Sequence, residues 1–264
     1  MEKKEFVPPY PIAIRLGLES AIGITAGLFV SPLITCVDKA ITQNASGTNT
    51  LWRSLGSNLK SLASQPHVFL RRPEQLWIWN IYASTYITAN SVDAFCKNYG
   101  IAHEMPKLWI TFVVNMAASI LKDRAFVRMF GSIKPAPIPI SSYSFWAARD
   151  ILTILSAFII PSRLSSYLAK NKGLDKKKAE TTITFWCPIL LQFITTPIHL
   201  LGLDCYNNRT STISMRMNFL KREYVKSLLA RMGRMVPAYG IGGVLNLKLR
   251  RYFFGDLDAR KVNK

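Results

Sequence analysis

Six ionisable residues sit inside or at the rim of apolar stretches: Arg15, Glu19, Arg72, Arg149, Asp150 and Arg234. A charge in such surroundings is costly, so it either pairs with an opposite charge or serves a solute or ion. Arg15 and Glu19 are four residues apart, which puts them on one helix face where they can neutralise each other. Arg149 and Asp150 are adjacent and are expected to pair with other segments. The arginines share a chemistry, because a planar guanidinium fork matches carboxylates and phosphates. On a solute path, Arg15, Arg72, Arg149 and Arg234 are the candidate cavity cations, and a small anionic solute is the expected cargo. Ion pairing and snorkelling to an interface are the competing roles.

Signatures of other chemistry are missing from the sequence. It has no Gly-rich phosphate loop, no HExxH and no GxSxG nucleophile elbow. His67, His103 and His199 are far apart, and Cys36, Cys96, Cys187 and Cys205 form no CxxC pair. The expectation is a non-enzymatic protein with no catalytic residue, no metal and no cofactor. His199 lies in an apolar segment beside Pro197 and is expected to bond a neighbouring helix.

The elements that hold these residues are read from the charge-free runs. Residues 20–37 and 75–92 are each uncharged for 18 residues, and 181–203 for 23. A helix needs about 20 mostly apolar residues to cross the hydrocarbon core. Three shorter runs, 108–121, 151–162 and 235–247, reach that length only with flanking charges. Pro32, Pro161, Pro188, Pro197 and Pro237 fall within apolar segments, as do several glycines, a mixture that membrane helices tolerate. The net charge of +19 and the sequence pI of about 10.0 point to anionic partners such as acidic lipid. No nucleic-acid-binding module carries the basic residues, so nucleic acid is not an expected partner.

Three apolar segments end in charged motifs: "SPLITCVDKA", "NMAASILKDRA" and "TPIHLLGLDCY". Their aspartates, Asp38, Asp123 and Asp204, are 85 and 81 residues apart. Each is followed by a basic connector and a second apolar segment opened by arginine, at Arg72, Arg149 and Arg234. The expected architecture is all-α, a polytopic membrane protein of about six transmembrane helices in three two-helix pseudo-repeats. The units are 1–99 (helices about 10–37 and 74–96), 100–170 (about 104–121 and 146–168) and 171–264 (about 180–203 and 230–250). The connector "LWRSLGSNLKSLASQ" places Leu51, Leu55, Leu59 and Leu62 at helical spacing, as does "MRMNFLKREYVKSLLARM" for its own apolar residues. Both are expected to lie on the membrane surface, and they offer an alternative function as a scaffold or receptor for proteins or anionic lipids.

This layout resembles the mitochondrial carrier family, whose odd-numbered helices end in a proline–acid–base signature. Pro32 with Asp38 and Lys39, Lys122 with Asp123 and Arg124, and Pro197 with Asp204 match that signature only in degenerate form. The acid follows proline by six and seven residues in the first and third motifs, and the second has no proline in its preceding turns. The stretches "GLFVSPLITCVDKAITQNASG", "TYITAN", "KDRAFVRMFG", "TPIHLLGLDCYNNR" and "ARMGRMVPAYGIGGVLNLKLR" are similar to a group of fungal mitochondrial membrane proteins. The resemblance implies a mitochondrial membrane, the inner before the outer, and either transport or a derived non-transport role.

Alkaline carbonate washing of membranes that carry the protein is expected to leave it in the pellet. Release into the supernatant would contradict the membrane reading.

Overall fold

Pro11 opens the first helix, where a missing N–H costs nothing and the fixed φ of −51° suits the entry. This computed structural model describes residues 11–131, 137–156, 160–172, 183 and 186–254. Regular structure among them is helical, with no strand. Helix α1 (Ile12–Ala45) runs for 34 residues and ends at Ser46 and Gly47, the glycine at φ 74°. The connector helices α2 (Leu51–Ser64) and α3 (Pro66–Leu70) follow. Then come α4 (Pro73–Asn98), α5 (Glu104–Phe130), α6 (Ile140–Ile154) and α7 (Ile160–Lys172). A helical turn at 186–190 precedes α8 (Gln192–Asn207). Last are α9 (Ile213–Val236), a π-helical segment (Pro237–Gly243) and α10 (Val244–Phe254).

Helix boundaries differ from those read from charge. The segments expected to stop near 37, 121 and 203 continue to Ala45, Phe130 and Asn207. Asp38 and Asp123 are therefore interior helical residues, seven positions before their helix ends, while Asp204 lies in the last turn of its helix. The physical reason is that each carboxylate has a cationic partner, so its helix need not stop to expose it. The helix expected over 146–168 begins at Ile140 and is described as two pieces, α6 and α7. The one expected over 230–250 is the end of α9, the π segment and α10. The expected starts at 10 and 180 lie outside the described residues.

Two prolines inside helices are accommodated by hydroxyl groups. Proline has no N–H to give the carbonyl four residues back. Pro32 orphans the Leu28 carbonyl, and the Ser31 hydroxyl donates to that oxygen at 3.3 Å. Pro197 orphans the Phe193 carbonyl, and the Tyr224 hydroxyl on α9 donates to it at 2.9 Å. α1 thus stays one helix through its proline, and α8 is tied to α9 at its own.

α1 is the hub of the bundle and packs on α4, α2, α9, α10 and the π segment. α4 lies antiparallel to it at very close range. A Cβ on Gly23 would come 2.7 Å from the Ile87 backbone nitrogen, and one on Gly27 the same distance from that of Ala83. This Gly-x-x-x-Gly contact lets two backbones approach without relying on the hydrophobic effect. Buried polar bonds line the same seam. Thr35 Oγ1 donates to Gln75 Oε1 at 2.7 Å, and Gln75 Nε2 donates to Ser31 Oγ at 2.7 Å.

Large apolar side chains face outward while polar ones share the interior with the apolar core. Phe29, Val113 and Ile194 are 61%, 56% and 55% exposed, while Ser31, Thr35 and Thr195 are 0% exposed. An apolar rim around a polar interior is what lipid demands and water penalises. By length and composition alone, α1 is the one described helix suited to cross a membrane. α4 and α5 have the length, with 26 and 27 residues, but carry several charges. The α2 stripe is partly corrected. Leu51 is buried, yet Leu59 is 41% exposed, and the buried face also contains Ser54 and Asn58.

Gly27→Leu is expected to destabilise the purified protein by about 1–3 kcal/mol through overpacking of the α1–α4 contact. Gly17→Ala, where nothing lies within 4 Å, is expected to leave the melting temperature within error. Thermal unfolding in detergent reads both; equal effects would contradict the packing described.

Candidate functional site

α1, α5, α6, α8 and α9 bring a set of ionised side chains together in the interior. Asp38 of α1 takes Lys122 of α5 on Oδ2 at 3.0 Å and Arg234 of α9 on Oδ1. Lys122 also meets Asp123 Oδ1 at 2.6 Å. Arg149 of α6 donates from Nη1 to Asp123 Oδ2 at 2.6 Å and from Nη2 to Asp150 Oδ1 at 2.7 Å. Arg149 also donates to His199 Nδ1 of α8 at 2.8 Å. A guanidinium can only donate, so His199 Nδ1 is an acceptor and the neutral ring carries its proton on Nε2. Asp38, Lys122, Asp123, Arg149 and Asp150 are all buried. Three carboxylates face three cations, so this layer balances.

A second layer lies toward the other end of α1. Arg250 of α10 grips both oxygens of Glu19 at 2.8–3.1 Å and also reaches Asp93 of α4 at 2.9 Å. Lys97 and Lys107 join Asp93 at 2.9 and 3.8 Å. Asn90 and Asn246 exchange amide hydrogen bonds between the same helices. Glu19 and Asp38 are 19 residues apart, or about 28 Å along a helix. That is close to the thickness of a hydrocarbon core, about 30 Å.

The candidates from the sequence divide between these layers and the surface. Arg149, Asp150, Arg234, Asp38, Lys122 and Asp123 converge in the inner layer. Glu19 belongs to the second layer and is taken by Arg250; Arg15 stacks on the Phe254 ring at 5.2 Å. Arg72 stands apart and donates to Ser61 at 2.8 Å. It lines a polar cavity of about 210 Å³ with Lys39, Gln43, Ser54 and Asn58. Lys39 pairs with Glu74 at 2.8 Å instead of with the inner layer. Arg124 is exposed. Asp204 breaks the threefold correspondence, because it binds Arg216 of its own connector at 2.5 Å. Pro32 and Pro197 lie half-buried in α1 and α8. His199 does bond a neighbouring helix, as expected of it.

Four cations were proposed to face a solute, but Arg149 and Arg234 have carboxylate partners. The interior therefore offers far less free positive charge than the arginine count suggests. Sequence reasoning missed Arg231, Asp93 and Arg250. Asp93 and Arg250 had a signal in their placement at the rims of apolar runs; Arg231 had none, because it reads as one more basic residue of a connector. In the connector part of α9, burial raises the Glu223 carboxyl. Hydrogen bonds from Asn44, Arg222 and Lys226 outweigh burial and hold it below the usual carboxylate range.

Polar interiors of this kind belong to membrane proteins that handle solutes or ions. Residues 22–254 match the family described as probable citrulline exporter, which covers most of the chain, and the chain belongs to that family. It is a transporter-like family, with a membrane environment and a small solute implied. No curated protein and no solved structure matches the chain.

Arg149→Ala is expected to cost about 3–5 kcal/mol, because it strands buried Asp123 and Asp150. Adding Asp123→Ala is expected to recover part of that loss. Thermal unfolding of both variants checks this; strict additivity would show that the two side chains are not coupled.

Proposed function

We propose that the protein is a transporter of a small zwitterionic amino acid, with citrulline as the first candidate. One observation carries this reading: an interior of ionised and hydrogen-bonding side chains inside an apolar rim. Family membership adds the solute. Citrulline has a carboxylate, an ammonium and an uncharged ureido group, so it carries no net charge. The paired charges of the inner layer, with Arg231 buried beside them, offer both anions and cations, which suits a zwitterion better than the anionic solute first expected from the arginines. Asp150 Oδ2 is buried without a hydrogen-bond partner and is an acceptor for an ammonium.

Passage between the two sides requires the inner ion pairs to open and re-form around the solute. The charges then exchange one partner for another instead of becoming bare, which keeps the barrier low. The proposed location is a mitochondrial membrane, the inner before the outer, and it rests on the sequence resemblance alone. A carrier-like arrangement of six spans in three units is proposed on the same basis.

Purified protein in liposomes preloaded with citrulline is expected to take up labelled citrulline in a saturable way. Uptake equal to that of protein-free liposomes would contradict the proposal.

A further inference from the structure

The inner layer balances, yet one more cation lies buried beside it. Arg231 on the last turns of α9 is 2% exposed. Its Nε donates to Gln192 Oε1 of α8 at 3.1 Å. No carboxylate lies within ion-pairing distance of it among the described residues. The carboxylates of the layer are held by others: Asp38 by Lys122 and Arg234, Asp123 by Lys122 and Arg149, Asp150 by Arg149. A guanidinium without a counter-anion in a low-dielectric interior is strongly unfavourable. It is a feature that folding alone gives no reason to keep.

Two buried hydroxyls without a hydrogen-bond partner lie on the same pair of helices. Thr196 is one turn along α8 from Gln192, and Ser227 is one turn back along α9 from Arg231. Both are 0% exposed, and neither Thr196 Oγ1 nor Ser227 Oγ has a hydrogen-bond partner. The two helices run antiparallel, with Arg216–Asp204 toward one end and Arg231–Gln192 toward the other. The Arg231–Gln192 register therefore puts Ser227 opposite Thr196. Gln192 Oε1 also accepts from Thr195 at 3.2 Å, which fixes the amide that orients the guanidinium. The α8–α9 seam thus holds one cation and two hydroxyls, donors that all lack an anion. Buried polar groups left in this way call for an acceptor with negative charge.

We infer that Arg231, oriented by Gln192 and flanked by Thr196 and Ser227, is the recognition point for the carboxylate of the transported solute. This rests on the transporter reading above and adds the chemical group that the site reads. The guanidinium holds the carboxylate through its Nη atoms, and the hydroxyls donate to the remaining lone pairs. A solute with that group replaced by a carboxamide loses the charge-assisted bond and leaves the guanidinium bare.

Thermal stabilisation of purified protein, measured with citrulline and with its carboxamide analogue, tests this directly. Wild type is expected to need at least about tenfold more carboxamide than citrulline for the same shift. Arg231→Gln is expected to bring the two concentrations within about twofold, and Arg231→Lys to fall between. If Arg231→Gln gives no cooperative melt, the wild-type analogue pair and Arg231→Lys decide the matter. A wild type that responds equally to both ligands, or a variant lacking the cation that keeps the tenfold preference, would overturn the inference. Citrulline uptake in liposomes separates the two levels. Uptake with an unchanged preference in Arg231→Gln removes only the role of Arg231. No stabilisation and no uptake by wild type removes the transporter reading with it.

Discussion

The Arg149 guanidinium holds the interior together. It spans Asp123, Asp150 and His199, and through Asp123 and Lys122 it is linked to Asp38 on the central helix. Four of the helices that build the interior therefore meet through one chain of charge-assisted bonds. Each link is strong because water is excluded, and each carries a penalty if its partner leaves. That combination adds a defined arrangement of partners to the packing of the apolar clusters around Trp146 and Phe126.

The surrounding helices are organised to let this network form. Gly23 and Gly27 bring α4 against α1, so Glu74 reaches Lys39 at one end while Asp93 meets Arg250 at the other. Ser31 and Tyr224 cover the carbonyls that Pro32 and Pro197 expose. The π-helical segment carries the chain from Arg234 in the inner layer to Arg250 in the second. Gly242 lets Tyr86 pack against it, and the Tyr86 hydroxyl donates to the Ala238 carbonyl at 3.5 Å. A wide turn with small residues, placed between two ionic layers, joins the two ends of the bundle without a regular helical ladder.

Much of the helical frame was legible in the sequence, and the reason is clear from particular residues. Pro73 and Arg72 mark the start of α4 because proline fits the first helical turn. Asp38 and Asp123 stood out in the sequence by their spacing at the ends of apolar runs, and the fold gives both of them buried cationic partners. Their partners were not legible, because Lys122 and Arg234 are 84 and 196 residues away from Asp38 in the chain. The helix ends were misread for a related reason: a paired charge does not end a helix. Asp204 was grouped with the other two aspartates by spacing, but its geometry commits it to Arg216. Arg231 stayed hidden because only the fold shows that a basic connector residue points inward beside Gln192.

The central claim is that polar and ion-paired side chains face inward while an apolar rim faces lipid. Spin labels attached one at a time to cysteines replacing Phe29 and Ser31, in protein reconstituted into vesicles, measure this most directly. The account predicts strong relaxation by dissolved oxygen and little by a water-soluble nickel chelate at position 29, with much weaker oxygen access at position 31. Free access of the nickel chelate to position 29 would place that face in water and contradict the account.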